Sequence, residues 1–180
     1  MRPPSACLLA LLVAVPGFAA DRETAKVRCL DRESLQLLET VRSHSPTARK
    51  LLDRLESSDL ITYIRVAPSF DRLRATTRII GHSGQNRFVL VSITSMTAQV
   101  DQVLLLGHEL RHAVELADAP WVRGDDGMIE MYERIGWRDS PRAFETAAAV
   151  DAGRAVREEV FLATRLAKNA AAAAANGSAR

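Results

Sequence analysis

The sequence predicts an α+β fold built around a small antiparallel sheet. Three observations lead to it. Apolar residues recur at helical spacing before residue 57 and after residue 97. Between those segments lie three consecutive β-rich runs joined by short connections. The most apolar helical run follows the third of them and carries histidine and glutamate on one side. The 180 residues suffice for one domain with a sizeable core, and no internal repeat interrupts them.

The first residues read as an export leader. Arg2 supplies positive charge, residues 7–15 form an unbroken apolar run, and Gly17 and Ala19 suit the −3 and −1 positions of a cut after Ala19. The run is too short to anchor stably in a bilayer. Residues 1–19 are therefore expected to be removed and the mature chain to be secreted or periplasmic, with no stable membrane anchor. Residues 20–168 are expected to form a single domain, and the alanine-rich residues 169–180 a disordered tail. Cys29 is then the only cysteine, so no intramolecular disulfide can form.

The remaining elements follow in order. Asp31 can cap a helix carrying Leu35, Leu38 and Val41, and Ser45 with Pro46 starts a second carrying Leu51, Leu52 and Leu55. The β-rich runs span residues 60–67, 73–80 and 88–94, and their short connections favour an antiparallel meander. Ser95 or Thr97 is expected to cap the next helix, which runs to about Ala117. A short helix covers about residues 128–135 before Gly136. Ser140-Pro141 reads as the start of the last helix, continuing to about Lys168.

The helix before Ala117 contains Gly107-His108-Glu109-Leu110-Arg111-His112, an H-E-x-x-H motif. Residues four apart share a helix face, so His108 and His112 can offer two imidazoles to one metal ion. Glu109 can reach a water on that ion and act as general base. Two nitrogen ligands with an adjacent carboxylate suit zinc hydrolysis, because zinc acidifies the water and the carboxylate takes its proton. Val103, Gly107, Leu110, Val114 and Ala117 form a stripe roughly opposite the histidines, which gives the helix a core-packed back. An E-x-x-H di-iron reading would need a second such pair, which is absent: Val41 precedes His44 by three and Ile79 precedes His82.

These residues resemble the zincins, the H-E-x-x-H metallopeptidases. The resemblance covers the motif helix and, more loosely, the chain up to Asp151. It implies a minimal zincin-like domain, one zinc ion per chain, and a peptide or protein substrate cleaved by metal-activated water. No histidine follows His112, which excludes the metzincin pattern; a gluzincin-like arrangement, with a later glutamate as third ligand, remains. Glu145 is the preferred ligand. Placed on the last helix, it would share a face with Ala148, Ala149 and Ala152, where an unpaired carboxylate is costly. Glu130, Glu133 and Glu115 stay open as alternatives, with Glu115 expected to support a histidine or meet solvent. The gluzincin pattern would also place an acid where Ala149 stands.

Tyr132 is the candidate donor to a developing oxyanion, with His82 a second choice. Trp121 and Trp137 are placed to line a cleft, and residues 88–94 to act as an edge strand for an extended peptide. The formal charge of +2 is spread over mixed-sign segments without a basic block, which argues against a nucleic-acid partner. Oligomeric state is not legible. A non-catalytic metal-binding or interaction module is the competing function, since nothing in so short a chain marks a substrate domain.

Overall fold

A computed structural model describes residues 25–68, 73–141 and 143–177, and over these the chain is α+β. The expected leader and its cleavage site lie outside the described residues. The order is β1 (Val27–Cys29), α1 (Arg32–His44), α2 (Pro46–Glu56), β2 (Leu60–Ala67), β3 (Ala75–Ser83), β4 (Asn86–Thr94), α3 (Gln99–Asp118), α4 (Asp125–Ile135), β5 (Trp137–Ser140), β6 (Ala143–Glu145) and α5 (Ala147–Gly177).

Local chemistry sets the first two helices as expected. The Asp31 carboxylate accepts the Ser34 N–H at 2.7 Å in a capping box, and also the Val66 N–H at 3.0 Å, tying α1 to β2. Ser45 Oγ accepts the Ala48 N–H at 2.9 Å and Pro46 opens α2. The buried faces of α1 and α2, led by Val41 and Leu55, join Ile64, Val89, Val91, Leu106, Leu110 and Val156 in one core.

The sheet departs from the expected meander. Its order is β1-β2-β4-β3: β1 and β2 are parallel, β2 and β4 are parallel, and only β3 runs antiparallel, against β4. The tight turn at Gly84, whose φ of 57° is left-handed, makes the β3–β4 hairpin. Apolarity decides which hairpin strand goes inside. Val89, Val91 and Ile93 of β4 are buried and take the central position, while β3, with Arg78, Ile80 and His82 exposed, takes the edge. The edges are therefore β1 and β3, and residues 88–94 lie inside the sheet. β1 has no counterpart among the expected strands: three residues beside a parallel partner leave too short a pattern to read.

Four other boundaries differ. The α3 N-cap is Ala98, with no side-chain hydrogen bond, so neither Ser95 nor Thr97 caps it; Thr97 is engaged instead with Arg74 and Asp101. Ser140 ends β5 instead of opening a helix, because Trp137–Ser140 and Ala143–Glu145 pair as small antiparallel strands before α5. Helix α4 begins at Asp125, and α5 runs to Gly177, past the end expected at Lys168, because its alanines are strong helix formers. Among the described residues no helix is long and apolar enough to cross a membrane.

Helices α3 and α5 approach unusually closely. A Cβ on Gly107 would lie 2.7 Å from Val156 Cβ, and one on Gly153 would lie 2.9 Å from the Leu104 carbonyl oxygen and 3.1 Å from His108 Cβ. Glycine at both crossing points lets the two backbones pack against each other, which brings the chain leading into α5 to the motif face of α3.

Candidate metal centre

The motif helix presents its histidines as the spacing requires. The stripe of Val103, Leu110, Val114 and Ala117 is buried at its back. On the other side, His108 Nε2 and His112 Nε2 lie 3.1 Å apart. Glu145 Oε1 completes a triangle, 3.1 Å from His108 Nε2 and 3.7 Å from His112 Nε2. These three side chains form a group that could hold a metal ion.

The triangle can be tested against a bound ion. A tetrahedral cation with bonds of about 2.1 Å holds its ligand atoms about 3.4 Å apart, and all three observed edges lie close to that value. The donor set, two imidazole nitrogens and one carboxylate oxygen, is also a common set for a divalent cation with an open position. The side chains of His108 and Glu145 keep 13% and 24% exposure against 6% for His112, so solvent reaches the cluster from their side.

Glu145 arrives by a different route from the one expected. It is the last residue of β6, opposite Trp137 in the hairpin, and Thr146 follows it as the cap of α5. It therefore does not share the face of Ala148, Ala149 and Ala152. The small residues that allow the close approach are instead Gly107 and Gly153. The other candidates stand elsewhere. Glu130 is exposed and paired with Arg134, and Glu133 is exposed and paired with Arg138 at 3.2 Å. Glu115 is buried on α3, where its Oε2 accepts the His112 Nδ1–H at 2.8 Å. That bond leaves His112 Nε2 directed at the cluster.

Electrostatics follow from this crowding. Burial alone would depress the His112 imidazole, but hydrogen bonds to Glu115 and Glu145 and the nearby Glu109 charge outweigh it and push its pKa up to about 9. Burial likewise opposes ionisation of Glu145, yet hydrogen bonds from His108 and His112 pull it down to about 2. Glu109 is buried, and desolvation raises its pKa against the opposing pull of His112, His108 and Thr77. Its Oε2 accepts from Thr77 Oγ1 at 2.6 Å, so edge strand β3 touches the motif carboxylate.

Tyr132 projects from α4 into the same neighbourhood. Its ring stands edge-on to His112, with centroids 5.3 Å apart, and stacks on Phe144 at 5.8 Å. Burial, with Glu115, Glu109 and Glu145 nearby, raises its pKa well above the ordinary value, so the phenol keeps its proton. His82 is exposed on β3 opposite Arg87. Trp121 and Trp137 are each about half exposed, and Trp121 lines a groove of about 620 Å³ with Arg111, Met131 and Ile135. That groove meets the back of the centre through Glu115 and Thr146 and does not reach the three converging atoms. Thr77, Thr146 and Gly153 leave no signal in the sequence, since each acts through a contact distant in the chain. Compared with known proteins, the chain matches no family model, no curated protein and no solved structure.

Proposed function

We propose that the protein is an exported zinc-dependent peptidase with a zincin-like site, His108, His112 and Glu145 holding one zinc ion and Glu109 acting as general base. The observation that carries this reading is the convergence of the three ligand atoms within 3.7 Å of one another, beside a buried carboxylate that does not join them. When bound by three protein ligands, zinc acidifies a water in its open position and polarises a carbonyl.

The chain's own groups account for the rest. Glu109, with one oxygen engaged by Thr77, has its other oxygen for accepting the proton of an attacking water, and its raised pKa suits passing that proton on to the leaving amine. Tyr132, kept protonated, is the donor to the oxyanion that forms on the scissile carbonyl. Strand β3 supports an extended substrate: it is one of the two edges of the sheet, and its Thr77 reaches Glu109. A peptide added along β3 would pass the cluster with its main chain held by strand hydrogen bonds.

The test is direct. Purified full-length protein is assayed for metal content and for cleavage of an unfolded protein substrate, with and without a chelator. The expected result is one zinc per chain and cleavage that stops on chelation and returns with zinc. Stoichiometric zinc without cleavage of any unfolded substrate would instead favour a non-catalytic metal-binding module.

A further inference from the structure

We infer that Glu115 and Thr146 form a positioning pair, which fixes the Glu145 carboxylate against the two imidazoles by tying the chain at Thr146 to the motif helix. The inference rests on the metal-site reading above and adds to it how the third ligand is held.

Glu115 lies one turn beyond His112 on α3 and is 6% exposed. Its two oxygens have separate tasks. Oε2 accepts the His112 Nδ1–H at 2.8 Å, and Oε1 accepts the Thr146 Oγ1–H at 2.7 Å. Arg111 Nε, 3.6 Å from Oε1, adds charge but lies too far for a hydrogen bond. A carboxylate this buried is costly unless its oxygens are filled in this way. Thr146 Oγ1 in turn accepts the Ala149 N–H at 3.0 Å. The hydroxyl has one proton to give, and that proton goes to Glu115 while a lone pair caps α5.

Thr146 directly follows Glu145. Anchoring its side chain to α3 therefore restricts the backbone from which the ligand projects. The opposite flank is closed by Gly136, where a Cβ would collide with the Glu145 carbonyl oxygen and lie 3.0 Å from Thr146 Cγ2. Through one carboxylate, the ring orientation of His112 and the position of Glu145 both refer to the same turn of α3. This arrangement also explains how the site dispenses with an acid at Ala149: the histidine is held by an acid on its own helix.

The experiment titrates full-length wild type, Thr146→Ser, Thr146→Val and Glu115→Gln with zinc against a chromophoric chelator, and with cobalt(II) followed by its visible spectrum. Serine keeps both hydrogen bonds, so Thr146→Ser should bind zinc within about threefold of wild type, whereas Thr146→Val should lose about 10- to 100-fold. In the valine variant the cobalt spectrum should also move away from the four-coordinate form as Glu145 detaches. Loss of the α5 cap lowers thermal stability but does not alter the spectrum of protein that remains folded. If the valine variant does not fold, Glu115→Gln carries the test: it leaves the cap in place but has one acceptor oxygen for the two donors, so it should also weaken zinc binding and shift the cobalt spectrum. A folded Thr146→Val or Glu115→Gln protein with wild-type affinity and spectrum would overturn the inference, as would failure of serine to restore binding. If wild type binds neither ion, the metal-site reading itself falls; if wild type binds and the variants match it, only the positioning pair falls.

Discussion

Thr77 Oγ1 lies 2.6 Å from Glu109 Oε2 and 3.1 Å from the Glu109 carbonyl oxygen, so the edge strand holds the motif carboxylate directly. The hydroxyl has one proton, and the nearer, charged oxygen is the stronger acceptor. That bond orients a carboxylate which burial would otherwise drive toward the neutral form. It also places the sheet edge and the proposed base side by side.

Glu109→Gln should separate holding the ion from hydrolysis. Glutamine has nearly the same shape and can still accept the Thr77 proton, so the fold and metal content should be unchanged. Its amide cannot take a proton from water, and cleavage should fall by about 10²- to 10⁴-fold. Metal analysis with turnover measurements checks both halves; full activity in this variant would remove Glu109 from the mechanism.

Glu145→Ala should lower zinc affinity by at least about tenfold, since it takes away one of the three proposed ligands. Glu130→Ala and Glu133→Ala should leave affinity unchanged, because both glutamates are exposed and paired with arginines on the protein surface. Competition with a chelator of known affinity measures all three. Equal losses across the set would mean that the convergence of Glu145 with the histidines does not reflect binding.

Much of the centre was legible because it is local. His108, Glu109 and His112 lie within one helical turn and a half, and the apolar stripe behind them announces which way they face. Glu145 is only partly legible in the sequence. Its chemistry favoured it, but its supposed alanine-lined helical face belongs to a residue that in fact ends a short strand. Hairpin β5–β6 is hidden in the sequence because its strands are only four and three residues long and Ser140-Pro141 carries the same signal as a helix start. The sheet order was not legible either: the short connections suggested neighbours, whereas the apolar content of β4 drew it between β2 and β3. Thr77, Thr146 and Gly153 matter through contacts made 31 or more residues away, which no local pattern encodes.

Gly153→Ala should weaken both the fold and the centre. The added methyl would sit 2.9 Å from a backbone oxygen of α3, which cannot rotate away as a side-chain end could. The helices must separate, at a cost of about 1–3 kcal/mol for overpacking. Because the same methyl would meet His108 Cβ at 3.1 Å, zinc affinity should fall along with stability. Urea unfolding and zinc competition on the same preparation test this, and unchanged values in both would show that α3 and α5 separate without strain.

The last prediction concerns the buried guanidinium of Arg87. It is fully buried and gives Nε and Nη2 to the two Asp59 oxygens at 2.7 and 2.8 Å, and Nη1 to the Ala119 and Val122 carbonyls at 2.9 and 2.8 Å. It thereby fastens the segment after the motif helix to the start of β2. Replacing Asp59 by Asn leaves a buried cation without its counter-charge, and at neutral pH the cost should be about 3 kcal/mol, the low end for a broken buried pair because Asp59 is partly exposed. The pH dependence has a definite sign. Hydrogen bonds from Arg87 hold the Asp59 pKa below its unfolded value of 3.8, despite opposing desolvation. A depressed folded pKa contributes stability that is fully present above the unfolded value and is lost as pH falls through the folded one. The stability gap between wild type and Asp59→Asn should therefore be constant from neutral pH down to about pH 5 and shrink below about pH 4. Urea titrations of both proteins at several pH values measure it. A gap that widened on acidification would show that the Asp59 charge does not stabilise the fold.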